Sequence, residues 1–215
     1  MTLAFPEAQA KDPEKLEAGR LLFAGQTEFL KGVVDMDGLP PADRPEVCFA
    51  GRSNVGKSSL INALTRQNRL ARASNTPGRT QEINFFTLVD RYLVDLPGYG
   101  YANAPVAVVA RWQALLRAYL AGRANLRRVF VLIDARHGIK SVDEEILSLL
   151  DASAVTFQIV LTKMDKNKPE QTEKVLSQVR DKLQTHPAAY PELVLTSSEK
   201  NTGIDILRSI IATQS

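Results

Sequence analysis

Residues 51 to 59 read Gly-Arg-Ser-Asn-Val-Gly-Lys-Ser-Ser, a complete GxxxxGKS, and no other feature of the chain narrows its fold as far. An apolar run, Val47-Cys48-Phe49-Ala50, precedes it, and a helix-competent run, Leu60-Ile61-Asn62-Ala63-Leu64, follows. Strand, loop and helix in that order are what a phosphate-binding loop requires. Backbone N–H groups of Gly51, Arg52, Ser53, Asn54, Val55 and Gly56 can converge on phosphate oxygens, and the helix N-terminus adds its partial positive charge. Lys57 is placed to reach β- and γ-phosphates, and the Ser58 hydroxyl to reach Mg²⁺. The motif alone does not separate ATP from GTP, or kinase from motor from switch.

The 215 residues are 44% hydrophobic and 24% charged, enough for one sizeable core with an appendage. A net charge of +3 and a pI near 9.0 make the chain mildly basic, which turns attention to nucleic acid as a partner. The single cysteine, Cys48, excludes an intrachain disulfide and fits a reducing compartment. It reads as a small buried residue of the first strand after the link. No stretch approaches the roughly 18 apolar residues of a membrane span. The first residues lack the basic start and long apolar run of a signal peptide. A cytoplasmic monomer is expected.

Residues 1–45 read as an N-terminal extension, with one amphipathic helix over Glu14 to Leu30, weakened by Gly19 and Gly25. Pro40, Pro41 and Pro45 then form an extended link. Residues 46–215 read as one nucleotide-binding domain. Strands are expected at 46–50, 83–88, 91–95, 128–134, 155–161 and 193–196, and helices at 57–65, 106–121, 142–152, 169–183 and 203–213. This alternation predicts an α/β fold with helices on both faces of a six-stranded sheet. Because 83–88 and 91–95 read as a hairpin, the sheet should be mixed, though mostly parallel.

Four further segments fit a nucleotide pocket. Asp95-Leu96-Pro97-Gly98 is a DxxG after an apolar strand, where Asp95 can hold Mg²⁺ through a water and Gly98 can offer its N–H to a γ-phosphate. Thr162-Lys163-Met164-Asp165 follows the apolar strand Phe157–Leu161 and matches a base-reading [NT]KxD. Guanine presents a ring N–H beside an exocyclic amine, and the Asp165 carboxylate can accept from both; adenine cannot satisfy that pair. Lys163 is expected to lay its alkyl stem along the base and stiffen the phosphate loop. Thr162 stands where many such motifs have Asn, which predicts a weaker tie to that loop. Thr196-Ser197-Ser198 lies where a backbone N–H contacts the guanine oxygen, or else is a plain helix-entry loop. The polar, breaker-rich stretch 71–81 is long for a loop and matches a switch in position. Of its threonines, Thr80 is chosen over Thr76 to complete the Mg²⁺ shell because it lies nearer the next strand. Gly78, Arg79, Gln81 and Glu82 around it are assigned to the nucleotide. Both this stretch and 96–104 are expected to become ordered with the γ-phosphate.

In the order GRSNVGKSSL, TPGRTQEINFF, DLPGYGYA, TKMD and TSS, the chain resembles the EngB (YsxC, YihA) group of bacterial ribosome-biogenesis GTP-binding proteins, relatives of TrmE, Era, EngA and the septins. The likeness covers about 46–213, with Asp134-Ala135-Arg136-His137 as a further family-like element. It implies a Ras-like fold, GTP and Mg²⁺ binding, assistance to large ribosomal subunit assembly through precursor rRNA and proteins, and a link to cell division and septation. Tyr99 occupies the place where Ras-type enzymes carry a glutamine that orients water, so slow hydrolysis is expected. Asn54 matches an asparagine that binds K⁺ in potassium-activated GTPases; the other reading is an Asn bonded only to local backbone. His137 reads as structural or partner-facing rather than as a base. Trp112, Leu115, Leu116, Tyr119 and Leu120 are expected to face the core. Arg66, Arg69, Arg72 and Arg79 near the switch, and Arg117, Arg123, Arg127 and Arg128 near the following helix, are either a solvated face or rRNA phosphate contacts. A P-loop ATPase or small-molecule kinase is the competing enzyme reading. TKMD argues against it, as does the lack of an insertion large enough for a lid. A division-complex adaptor that binds GTP constitutively is the third reading.

Overall fold

The computed structural model describes residues 3–68, 70–71, 82–100 and 106–214, without the side chains of 106–109, 111 and 112. Seven strands form one sheet: β1 (Thr27–Val33), β2 (Glu46–Gly51), β3 (Ile83–Leu88), β4 (Arg91–Asp95), β5 (Leu126–Asp134), β6 (Phe157–Thr162) and β7 (Val194–Leu195). Their order is β1-β3-β4-β2-β5-β6-β7. The pairings β1–β3 and β3–β4 are antiparallel, and the other four are parallel. Strands buried on both faces should read as continuous apolar runs, and Val129–Ile133 and Phe157–Leu161 do, apart from Gln158. The helices are α1 (Pro13–Leu22), α2 (Lys57–Thr65), α3 (Val106–Gly122), α4 (Ser141–Ala152), α5 (Pro169–Leu183) and α6 (Ile204–Ala212). They cover two cores. Cys48, Val94, Val131 and Ile159 belong to one, and Val47, Phe49, Phe130 and Val160 to the other, as strand alternation dictates.

The N-terminal segment departs from expectation. The helix begins at Pro13, with the Asp12 side chain accepting from Glu14 N and Lys15 N, and it ends at Leu22. Residues 27–33 form the seventh strand, running from Thr27 opposite Leu88 to Val33 opposite Ile83. The edge of β3 offers unpaired backbone groups, and pairing them outweighs a helix already weakened by glycine. Phe29 adds an edge-on contact to Phe86, with centroids 5.7 Å apart. Gly19 has a positive role. A Cβ there would stand 2.6 Å from Ser209 N, so glycine is what lets α1 lie against α6. At the other end of the sheet, Leu193 N donates to Pro6 O and Ala8 N donates to Leu193 O, beside β7.

Beneath the sheet lies a buried polar knot unforeseen in the sequence. Glu46, fully buried, accepts from the Tyr119 hydroxyl at 2.6 Å, from Arg123 Nε at 2.9 Å and from Asn125 Nδ2 at 3.1 Å. Arg123 also donates to Pro40 O, which ties the proline link down. Cys48 is buried beside Tyr119, and burial pushes its thiol well above the usual range, as an inert packing residue requires. Arg123→Ala strands the Glu46 carboxylate. The expected loss is about 3 kcal/mol of unfolding free energy, read as a lower midpoint in urea; an unchanged midpoint would discard the knot as a stabilising element.

Candidate functional site

The phosphate loop forms where β2 ends and α2 begins. Gly56 has φ +105°, a left-handed backbone that glycine tolerates, and it precedes the first turn of α2, whose N–H groups are unpaired within the helix. Val55 is buried, while Arg52, Ser53, Gly56, Lys57 and Ser58 are half-buried along the loop. Lys57 Nζ pairs with Asp95 Oδ1 at the carboxyl end of β4, so DxxG and the phosphate loop meet at one point. The Ser58 hydroxyl and the Asp95 carboxylate are hard oxygen donors of the kind Mg²⁺ takes. Among the described residues no three His, Cys, Asp or Glu side chains converge as a metal cage. A Mg²⁺ here would draw further ligands from phosphate and water. The Asn54 side chain is exposed and takes no partner among the described residues.

Leu96 to Tyr99 continue β4 along the loop. Leu96 N donates to Phe49 O at 3.0 Å, Tyr99 N to Gly51 O at 3.3 Å, and Ser53 N to Tyr99 O at 3.0 Å. Pro97 is buried and Gly98 lies against Ser53. The Tyr99 phenol points into the protein, where its hydroxyl donates to Asp143 Oδ1 at 2.9 Å, and it is only 5% exposed. Burial and the Asp143 charge push its ionisation well above the usual range.

TKMD sits at the end of β6, with the Thr162, Lys163 and Asp165 side chains each held by a partner. The Thr162 hydroxyl donates to Val55 O at 2.7 Å, so threonine makes the link to the phosphate loop that its replacement of Asn had put in doubt. Lys163, with φ +59°, donates to Asn54 O at 2.6 Å and pairs with Asp134 at 3.0 Å. Asp134 is also gripped by Arg136 at 2.7 Å; burial alone would raise its pKa, but these cations hold the carboxyl well below the usual range. Asp165 Oδ1 accepts from the Ser197 hydroxyl at 2.6 Å. Its Oδ2 lies 3.1 Å from Lys166 Nζ without a hydrogen bond of good geometry. The Ser197 hydroxyl, then Lys166, keep the Asp165 carboxyl below its ordinary pKa, so it is an acceptor at neutral pH. Met164 N donates to Thr196 O at 3.2 Å, which joins this loop to the Thr196-Ser197-Ser198 segment. Gly56, Thr162, Lys163, Asp165, Lys166 and Ser198 line one open cleft of about 870 Å³, within the range of small-ligand sites. A carboxylate acceptor lining a cleft beside the phosphate loop suits a purine that presents N–H groups.

Gly78, Arg79, Thr80 and Gln81 lie outside the described residues, as do Arg69, Arg72, Thr76 and the side chain of Trp112. Glu82 is half-buried at the start of β3, its carboxylate against Gly32 of β1. Leu115, Leu116, Tyr119 and Leu120 are buried, and His137 is exposed. Two arginines read as a solvated face or phosphate contacts are internal. Arg123 belongs to the Glu46 knot, and Arg128 is buried, stacks over the Tyr190 ring at 3.7 Å and donates to Gln158. Arg66, Arg117 and Arg127 are exposed. Asp134 was noted in the sequence only as part of a motif, and Asp143 not at all; a lone Asp in a helix's first turn carries no signal of its burial.

The profile of a family described as 50S ribosome-binding GTPase matches residues 46–163, and that of the elongation factor Tu GTP-binding domain matches 119–214. A GTP-binding protein EngB of Roseobacter denitrificans is 73% identical over 212 residues, covering 98% of each chain. The crystal structure of a GTP-binding protein EngB superposes with a TM-score of 0.61 at 22% identity, covering 78% of this chain and 97% of that one. Era, solved with MgGDPNP and nucleotides 1506–1542 of 16S ribosomal RNA, superposes with a TM-score of 0.58 at 23% identity, covering 80% and 57%. With a Ras-like α/β fold, a phosphate loop and a TKMD carboxylate in one cleft, and relatives of this identity over nearly their whole length, the chain belongs to the EngB family of GTP-binding proteins.

Proposed function

We propose that this GTPase is a slow nucleotide-dependent switch that docks on the large ribosomal subunit precursor in its GTP state and releases it after hydrolysis. The carrying observation is that Thr162 and Lys163 bond to the phosphate loop at Val55 O and Asn54 O, while Asp165, next to them in the same segment, is held by Ser197. In this reading Asp165 accepts from the guanine N–H groups, and the 196–198 backbone faces the guanine oxygen. Lys57 leaves Asp95 to balance phosphate charge, while Gly98 and Thr80 face the γ-phosphate. Ser58, Thr80 and, through water, Asp95 would hold Mg²⁺, which supplies charge neutralisation at the phosphates. Tyr99, bonded to Asp143, is spoken for and cannot orient water. Hydrolysis is therefore slow until a partner, or K⁺ at Asn54, supplies the missing group. A ribosomal partner is supported by the family description, by the RNA-bound relative Era and by the basic charge. The link to division and septation, the cytoplasmic location and the monomeric state rest on the family resemblance and composition.

Co-sedimentation with large-subunit precursors tests this reading. Binding is expected with a GTP analogue and not with GDP; equal pelleting in both states would instead favour a constitutive adaptor. Neutralising Arg72 and Arg79 together should flatten the salt dependence of particle binding by about two units, if each meets one phosphate. Parallel slopes for parent and double variant would mean that another surface recognises the particle.

A further inference from the structure

Three segments distant in sequence meet at one buried carboxylate. Asp143 stands in the first turn of α4, its side chain 0% exposed, and α4 contributes nothing to the nucleotide cleft. Its Oδ1 accepts from the Tyr99 hydroxyl at 2.9 Å. Its Oδ2 accepts from Lys140 N at 2.8 Å and lies 3.1 Å from Arg52 Nε in the phosphate loop. One anion thus joins the phosphate loop, the residue after DxxG and the start of a helix outside the site. The backbone bonds of Tyr99 to Gly51 and Ser53 fix the same junction from the other side. Gly98, between Pro97 and Tyr99, is consequently held from both directions.

We propose that the Tyr99–Asp143 pair is a positioning device that presets the Gly98 amide for the γ-phosphate, whichever nucleotide is bound. The proposal rests on the GTP-binding reading above. Its consequence is that the nucleotide-sensitive part of this segment begins after Tyr99, not at Leu96. A preset donor costs no ordering when the γ-phosphate arrives, so GTP gains relative to GDP, which has no group to meet it. The Asp143 carboxylate suits the task because burial makes any loosening of its bonds costly.

The test is Tyr99→Phe in the full chain, which removes one hydroxyl and keeps the ring. Affinities for a non-hydrolysable GTP analogue and for GDP are measured with hydrogen exchange of residues 96–100. The parent should show equal protection of the Leu96 and Tyr99 amides in both nucleotide states, with only the Gly98 amide gaining protection from the γ-phosphate it meets. The variant should bind the GTP analogue about tenfold more weakly, since the Gly98 amide must then be ordered when the γ-phosphate arrives. Its GDP affinity should stay within about twofold, which also certifies the fold, and protection of its Leu96 and Tyr99 amides should fall in the GDP state alone. Equal losses for both nucleotides would make the pair a general support of the phosphate loop and overturn the proposal. Unchanged affinities would overturn it too, as would nucleotide-dependent protection of the Leu96 and Tyr99 amides in the parent. A failure of the GTP-binding reading itself would appear in the parent as no GTP affinity at all.

Discussion

Replacing Lys57 by alanine is expected to lower affinity for both GTP and GDP by at least about a hundredfold, the loss of charged hydrogen bonds to phosphate. The position adds a second effect. Asp95 is 3% exposed and has Lys57 as its cation, so the variant leaves that carboxylate without a counter-charge. The nucleotide-free protein should therefore lose stability, on the order of 1–3 kcal/mol, while keeping its fold. Titration with a fluorescent guanine nucleotide measures the first effect, and urea unfolding the second. Parent-like nucleotide affinity would remove the phosphate-loop assignment; parent-like stability would mean that the pair contributes nothing before nucleotide arrives.

Asp165→Asn should exchange specificity rather than abolish binding. GTP affinity is expected to drop about a hundredfold, because an amide nitrogen faces a guanine N–H where an acceptor had been. Xanthosine nucleotides should gain, since xanthine carries an oxygen where guanine has its amine, and the amide can donate to it. Ser197, now hydrogen-bonded to Oδ1, can turn its hydroxyl to accept from an amide nitrogen, so the loop need not collapse. Competition between GDP and XDP for parent and variant gives the answer. If the variant still prefers GDP by the parental margin, TKMD is not the base reader.

What could be read from the chain was what recurs locally. The phosphate loop, DxxG and TKMD each follow an apolar strand, and each stands where that pattern puts it. Six of the seven strands announce themselves as apolar or hairpin-forming runs. The seventh, Thr27–Val33, mixes charge and glycine, because an edge strand with much of its side-chain surface in solvent need not be apolar. It becomes a strand by pairing with β3, fifty or more residues away, and no local signal reports that. The Glu46–Arg123 pair and the Asp143 junction were illegible for the same reason. Each is a contact between residues far apart in the chain, and an isolated Asp or Glu reads as solvated until its partner is placed beside it. Thr162 marks the limit of reading by analogy. A hydroxyl reaches Val55 O as well as an amide would, a fact of distance rather than of residue type.

Residues 3–33 are attached at both ends of the sheet, β1 against β3 and residues 6–8 beside Leu193, with Gly19 of α1 pressed against Ser209 between them. This has a consequence for biosynthesis. Chains emerge N-terminus first at about 5–20 residues per second, so Phe5 and α1 leave the exit tunnel well before their docking surfaces exist. Arg180 holds Phe5 O across 175 positions, and α6, against which α1 lies, is made long after α1. Phe5 and α1 must therefore wait, unpaired, until α5 and α6 have been made. The contacts that pin this segment close only once α6 is released.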